Sequence, residues 1–414
     1  MTPLIVSKSD LSGGAARASY RLHTALLAAN IPSSMLVGNR QSDEPLVRGP
    51  ASKLQKVIAK LPAILDNLPT IMQQTTNPVS HSSAWLGSIS ARQINALNAD
   101  VINLHWICGG FLTIEEIGKI NKPVVWTLHD MWAFCGAENY TADDRNARFR
   151  HGYSKDNRDP EHKGIDIDRW VWNRKNISWK NPFHIVTPSR WLADCVKGSA
   201  LMHNWPVTVI PNVLDTEIFK PYPKNIAREL LHLPEKSKLV LFGALKGGND
   251  PRKGWDLLQP ALAKAGQSIP DVHGVIFGQS EPQDPPNLGI PLHWLGHIHD
   301  DTTLAMLYSA VDVTVVPSRQ ENLPQVGTEA QACGCPVVAF NITGLPDVVE
   351  HEQTGYLAEA FSIDDLAKGI AWVLSDEERH VKLSVRARER AKQLWSPEVV
   401  VPQYIEVYEQ AKAT

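Results

Sequence analysis

Long apolar runs are missing from this sequence of 414 residues. No stretch supplies the roughly 20 uninterrupted apolar residues that a bilayer-spanning helix needs. The opening Met-Thr-Pro-Leu-Ile-Val-Ser reads as a first strand rather than a secretory leader. The expectation is a cytoplasmic protein, with peripheral contact at the inner face of the plasma membrane left open. Cysteine is scarce too. Cys108, Cys135, Cys195, Cys333 and Cys335 form neither a paired framework nor a metal spacing, and Cys333-Gly-Cys335 lacks the second dyad of a zinc site. They read as buried free thiols of a reducing compartment, and no metal is expected. Nor does any stretch interleave aromatic and basic residues as nucleic-acid modules do, so no nucleic-acid partner is expected.

What is present is the composition of a folded protein, 43% apolar and 21% charged, which excludes wholesale disorder. The length exceeds what one hydrophobic core usually serves, so two domains are expected. The 29 prolines and 26 glycines are spread among apolar segments and mark many short connections instead of a low-complexity tract. Many of the 13 tryptophans fall between Trp85 and Trp205. Core packing is one reading; an apolar lip for a sugar or lipid is the other, since the C–H faces of sugar rings stack on indoles. The net charge of -3 conceals a division: 23 basic against 17 acidic residues through Pro211, and 18 against 27 beyond it. The positive first half suits an anionic acceptor or a membrane surface, and solvated charged faces explain it equally well.

Both halves repeat one order of segments. Leu4-Ile5-Val6 precedes Ser12-Gly13-Gly14-Ala15-Ala16, a predicted helix over 17–30 and an extended stretch from Ser33 to Val37. In this strand–loop–helix–strand opening, Gly13 and Gly14 let backbone approach an anion at a helix start; an ordinary turn is the alternative. Further short apolar runs span 101–106, 124–128 and 184–187. The stretch 133–181 is irregular, polar and aromatic, and reads either as a site rim or as a surface excursion. After a boundary near Val209-Ile210-Pro211-Asn212, a second series runs through 239–242, 272–277, 292–295, 311–316 and 337–340, with helical segments between most of them. Short strands alternating with helices make parallel sheets covered on both faces. The prediction is an α/β protein of two doubly wound domains, 1–208 and 209–394, with a last helix over 395–414 packing back on the first. Such sheets bind ligands outside the C-terminal ends of their strands, so an interdomain cleft is the expected site.

Chemistry concentrates in the segment from Pro317 to Phe340. A predicted strand feeds a loop carrying Glu321, and the loop enters a helix near Pro324, where a missing N–H would be unpaired anyway. Glu329 points from within that helix. One carboxylate can address a sugar while the other addresses a hydroxylated nucleoside portion of the same ligand. Upstream, Phe242-Gly243 leads through Lys246, Gly247, Gly248 and Asn249 to Arg252-Lys253-Gly254. Such cations can offset a diphosphate and the charge that grows on it as a glycosidic bond breaks.

These segments resemble the E-x7-E signature of retaining glycosyltransferase family 4, whose members have the GT-B fold of two Rossmann domains. The resemblance extends to Gly344-Leu-Pro-Asp-Val-Val349, Val186-Thr-Pro-Ser-Arg190, Pro211-Asn212-Val-Leu-Asp215 and the stretch 296–299, and is weakest over 50–98. It implies that Glu329 binds the ribose hydroxyls and that Glu321 holds hydroxyls of the transferred sugar. Amides around Asn322 and Leu323 would meet the donor sugar or its phosphates, and Gly13-Gly14 would form the first domain's phosphate loop. The family's usual Gly-Arg is Gly243-Ala244 here; Lys253 matches the family's lysine, and Arg252 is the candidate substitute for the missing arginine. Pro123-Val-Val-Trp-Thr-Leu-His129-Asp130-Met-Trp-Ala-Phe134 resembles the family's strand-end histidine segment, especially in an exopolysaccharide-assembly branch. By that resemblance His129 contacts the donor sugar and steadies the departing sugar-phosphate. His105 is a lesser candidate, and Asp130 orients His129, binds an acceptor hydroxyl or caps a turn.

The implied reaction is transfer of a hexosyl group, with retention, from a nucleoside diphosphate sugar to a hydroxyl of a glycan, lipid-linked or small acceptor. The nucleotide sugar is a substrate, and no cofactor is required. Domain closure would align the reactants. Catalysis would rest on His129, Glu321, Arg252 and Lys253, and donor binding on Gly13, Gly14, Arg252, Lys253, Asn322, Leu323 and Glu329. The alternatives are a nucleotide-sugar epimerase or hydrolase, which the same architecture permits, and a glycan-binding assembly protein without catalysis, which Ala244 keeps open.

Overall fold

The computed structural model describes residues 1–50, 52–243 and 250–413. The chain divides into two compact units, Met1–Val213 with Val400–Thr414, and Leu214–Val399. Unit one contains the strands β1 (Pro3–Ser9), β2 (Ser34–Asn39), β3 (Val47–Arg48), β4 (Gln73–Gln74), β5 (Val101–Leu104), β6 (Val124–Thr127), β7 (Lys163–Gly164), β8 (His184–Thr187) and β9 (Val207–Val209). Seven of them form a sheet in the order β3-β2-β1-β5-β6-β8-β9 with every pair parallel, while β4 and β7 pair antiparallel apart from it. Because β9 closes the sheet, the chain leaves unit one only after Val213.

Side chains along these strands alternate between two cores. Leu4, Val6, Ile102, Trp126 and Ile185 enter one, and Ile5, Val101, Val125 and Val186 enter the other. Burial on both faces is why the strands read as unbroken apolar runs, each such side chain contributing about 1.5–3 kcal/mol. The helix Gly14–Ala28 and, from Val400 onward, the last helix Pro397–Ala413 cover one face, through Leu22, Leu26, Val400, Tyr404 and Tyr408. The other face is covered by the stretch 133–181, whose Phe149, Tyr153, Val171 and Trp179 are core residues. That stretch is part of unit one's interior, not a surface excursion. Its Lys175 is wholly buried and donates to the carbonyls of Trp132, Cys135 and Gly136, the last at 2.8 Å. Burial pushes this amine down to about 7. Of the tryptophans, Trp126, Trp132 and Trp179 pack together in the core, whereas Trp85 and Trp170 are exposed.

Unit two carries β10 (Lys238–Gly243), β11 (Val272–Phe277), β12 (Leu292–Trp294), β13 (Val313–Val316), β14 (Val337–Phe340) and β15 (Gly355–Ala358). They form one parallel sheet in the order β12-β11-β10-β13-β14-β15. In both sheets the first strand is central, and the chain winds outward one way and then the other. The reversals lie between β1 and β5 and between β10 and β13, and it is outside the C-terminal strand ends at such reversals that doubly wound sheets take ligands. Among the described residues, no helix is long and apolar enough to cross a membrane.

Candidate functional site

In unit two, β13 runs out at Val316, and Pro317-Ser318 turn into the loop that carries Glu321. Backbone contacts fix this loop. The Glu321 N–H donates to Thr343 Oγ1 (3.2 Å), the Gly344 N–H donates to the Glu321 carbonyl (3.0 Å), and the Arg319 N–H donates to the Arg252 carbonyl (2.7 Å). Position 344 has no room for a side chain, because a Cβ there would lie 1.5 Å from the Asn322 carbonyl oxygen. The Glu321 carboxylate is nearly buried, accepts from Ser318 Oγ (3.2 Å) and pairs with Lys253 Nζ. Lys253 reaches it because Gly254, at φ 69°, presses its Cα against the Pro317 turn; a Cβ would fall 1.9 Å from the Pro317 carbonyl oxygen. The Lys-Gly dipeptide thus has a mechanical meaning as well as a chemical one.

Beside this pair, Arg252 bonds Asp250 at 2.8 Å, and Arg319 holds Asp256 at 2.6 and 2.8 Å. Asn322 and Leu323 are buried in the same loop. Glu329 lies in the helix Gln325–Ala332, and its buried carboxylate accepts the Tyr308 hydroxyl (2.8 Å) from the helix Asp301–Ala310. A carboxylate removed from water needs such donors. The resulting cluster offers acceptors for hydroxyl groups and an ammonium that can oppose phosphate.

In unit one the neighbouring strands β5 and β6 deliver His105 and His129 side by side. Their rings stack 5.1 Å apart, with His105 Nδ1 2.9 Å from His129 Nε2. His105 Nε2 lies 3.3 Å from Asn103 Oδ1, which also accepts the Tyr408 hydroxyl at 2.7 Å. The Asn103 amide nitrogen faces the Val125 carbonyl (3.2 Å) and Thr127 Oγ1 (3.1 Å), so its oxygen is the atom turned to His105. The proton assignment follows. Asn103 Oδ1 can only accept, so His105 carries its proton on Nε2 and leaves Nδ1 to accept from His129 Nε2–H. His129 then keeps Nδ1 as its unprotonated nitrogen. Burial holds His129 down to about 4, and burial followed by the adjacent His129 holds His105 well below the ordinary range. Both rings are neutral at pH 7.

Asp130 does not bond His129. Its carboxylate accepts from the Trp132 N–H (3.0 Å), Asn139 Nδ2 (2.7 Å) and Trp106 Nε1 (3.0 Å), so of its three sequence readings the turn cap is the one whose hydrogen bond is present. Burial raises its pKa, and these donors counteract the rise. Gly13, at φ 94°, caps the start of the helix Gly14–Ala28 with open space where a Cβ would project.

The structure therefore joins Glu321 to Lys253, sets Arg252, Asn322 and Leu323 in the adjoining turns, and holds Glu329 one helix further on. His129, Gly13 and Gly14 belong to unit one. Ala244, Lys246, Gly247, Gly248 and Asn249 lie outside the described residues. Sequence reasoning missed Ser318, Thr343 and Tyr308 around the carboxylates, and Asn103, Thr127, Tyr404 and Tyr408 behind the histidines. A signal existed for some of these: a polar Asn103 inside an apolar strand, and two tyrosines spaced i, i+4 on the last helix. All five cysteines are buried and free of disulfides.

Two family models match the chain: Glycosyltransferase Family 4 over residues 12–218, and Glycosyl transferases group 1 over residues 224–392. The sequence is similar to D-inositol 3-phosphate glycosyltransferase of Thermobispora bispora, at 30% identity over 75% of this chain and 71% of that protein. Among solved structures it is similar to sucrose-phosphate synthase of Thermosynechococcus elongatus (TM-score 0.68, 21% identity, 100% of this chain and 99% of that one). It is similar also to Anabaena HepE in complex with UDP-glucose (TM-score 0.63, 20% identity, 99% of this chain and 100% of that one). These likenesses show the fold to be of the GT-B type, with two Rossmann-like α/β domains.

Proposed function

The chain belongs to glycosyltransferase family 4, and on that premise we propose that it transfers a hexosyl group, with retention, from a nucleoside diphosphate sugar to a hydroxyl of its acceptor. The observation that carries this reading is the Lys253–Glu321 pair at the β13 turn, with Glu329 held by Tyr308 one helix away. In this reading Glu329 binds the ribose hydroxyls, and Glu321 with the amides of Asn322 and Leu323 grips the sugar. Lys253, assisted by Arg252, opposes the negative charge that collects on the diphosphate as the glycosidic bond breaks. Of unit one's residues, this reading assigns phosphate contact to the backbone of Gly13-Gly14. His129, neutral and with Nδ1 unprotonated, accepts a hydrogen bond from a sugar hydroxyl. The acceptor hydroxyl attacks from the face the leaving group vacates. Glu321 acts by hydrogen bonding and not as a nucleophile.

Anabaena HepE is complexed with UDP-glucose, so a uridine diphosphate hexose is the first donor to try. The Thermobispora relative is named for D-inositol 3-phosphate, and the positive first half of this chain suits an acceptor bearing phosphate. Lipid-linked and glycan hydroxyls complete the acceptor panel. The exopolysaccharide branch rests on the segment around His129 alone and does not enter the proposal. Five buried free thiols suit a reducing, cytoplasmic setting.

The test is a panel of nucleotide sugars incubated with and without each acceptor and read by mass spectrometry. Acceptor-dependent glycoside with the donor's anomeric configuration is the expected product. An isomerised donor formed without acceptor would replace transfer by epimerisation. Inverted product would sink the retaining assignment.

A further inference from the structure

The helix Lys53–Asp66 and the short helix Leu68–Ile71 turn apolar side chains outward. Leu54, Val57, Leu61, Ile64 and Leu65 are 70%, 60%, 54%, 63% and 43% exposed. At 100° per residue these five fall within an arc of about 100°, a continuous stripe. Leu68, Ile71 and Met72 extend it past Asn67, each about half exposed or more. An amphipathic helix of a globular protein ordinarily buries such a stripe.

The opposite side of the same helix is the one that is anchored. Its backbone at Pro62 and Ala63 rests against Gly110, where a Cβ would lie 2.4 Å from the Ala63 nitrogen. Asp66 closes the helix and is buried, its carboxylate accepting from the Trp85 N–H (2.8 Å), Ser83 Oγ (3.1 Å) and Ser82 Oγ (3.3 Å). The stripe is therefore held facing away from unit one's own fold.

Charge selects the occupant. Between Pro45 and Ala99 the sequence carries Arg48, Lys53, Lys56, Lys60 and Arg92, and Asp66 is the one carboxylate. The segment holds most of the positive excess of the first half, and three of its lysines recur along the striped helix itself. Trp85, 41% exposed, donates its indole N–H to the Leu65 carbonyl (3.3 Å) at the edge of the stripe. An indole with one polar tether at an apolar margin is the arrangement favoured at bilayer interfaces. A second copy of this face would bring like charges together, and protein interfaces are poor in lysine.

We propose that this face binds the surface of an anionic bilayer, with the apolar stripe between the headgroups and Lys56 on lipid phosphate. The proposal is independent of the donor residues, and it deepens the proposed function by naming the surface on which a lipid-linked acceptor is met.

Flotation of the full chain with phosphatidylcholine vesicles, with and without added phosphatidylglycerol, tests it. Binding is expected only to the anionic vesicles and weakens as salt rises. The double variant Leu61→Ser, Ile64→Ser, altered at exposed positions, should partition at least about tenfold less, and Lys56→Gln about fivefold less. No vesicle binding, equal binding to neutral vesicles, or unchanged binding by the double variant each overturns the proposal. So does a dimer in sedimentation that the double variant breaks while vesicles go unbound, which assigns the face to a second copy. Donor binding measured by calorimetry on the same proteins reports separately on the reaction.

Discussion

The Glu321 cluster of unit two is charged, and most of its parts come from one loop and the turn beside it. The His129 cluster of unit one is neutral at pH 7, and its parts come from two strands and a helix some 300 positions away in the chain, Tyr408 bonding Asn103 across |i−j| = 305. The difference reflects what each must do. A group that opposes phosphate works by its charge, and its partner Glu321 keeps that charge compensated while no ligand is bound. A neutral imidazole works by which nitrogen bears the proton, and that is settled only when every neighbour's donor and acceptor is allotted. Charge is local and strong. Tautomer control is distributed, and each link is weak.

The comparison breaks most visibly at Lys253. Lys253→Ala removes the cation and leaves Glu321 with Ser318 as its remaining side-chain donor among the described contacts. We expect kcat/KM to fall about a thousandfold, the scale on which preorganised stabilisers of transition-state charge act. Combining it with Glu321→Gln should add much less than the Glu321→Gln loss alone, because the two side chains share one contact. Full additivity in that cycle would show that they act separately. A hundredfold loss in kcat is the expectation for His129→Ala, with donor affinity little changed, since one hydrogen bond to the sugar is lost while the nucleotide grip persists. Glu329→Gln should do the reverse, weakening donor binding about thirtyfold through a lost charged acceptor while the turnover of bound donor falls less. Titration calorimetry beside steady-state kinetics separates the two patterns.

How much of this was legible beforehand follows the same division. Glu321, Glu329 and Lys253 stand in short segments whose residue types state their chemistry, and the strands over 184–187, 272–277 and 337–340 were read to the residue. Both faces of those strands are buried, so hydrophobic runs marked them without ambiguity. Asn103 and Tyr408 carried a signal but not a role, because Tyr408 meets Asn103 only once the sheet and the last helix are complete; Tyr308 carried none, since it meets Glu329 only when two helices pack. The stretch 133–181 was read as a rim or a surface excursion for a related reason. Its apolar residues are interrupted by charges, and the burial of Lys175 under three carbonyls becomes evident only once Trp132, Cys135 and Gly136 are in place. Helix Lys53–Asp66 lay in the least legible stretch, and its exposed apolar pattern resembles an ordinary core stripe until exposure is known.

The smallest effects test the neutral cluster, and pH is the instrument. Because burial lowers His129 to about 4 from an ordinary 6.5, the unfolded chain takes up a proton near 6.5 that the folded chain refuses until about 4. The stability contributed by this group is whole above 6.5 and is lost as pH falls through 4. In the same way kcat/KM should stay level down to about pH 5 and fall only as His129 protonates; an acid limb centred at 6.5 would place the ring in water. Tyr408→Phe then removes one link. Asn103 Oδ1 keeps His105 Nε2–H as a donor, so the fold should lose about 1 kcal/mol and no more. With less competition at that oxygen, the bond from His105 strengthens and makes its Nδ1 a better acceptor, which favours a protonated His129 and moves the acid limb upward. Tyr404→Phe is the control. Its hydroxyl meets Thr127 Oγ1 at 3.3 Å and not Asn103 Oδ1, so it should cost similar stability and leave the acid limb in place. Equal pH profiles for the two variants would reduce Tyr408 to packing and end the case for a proton order imposed from the last helix.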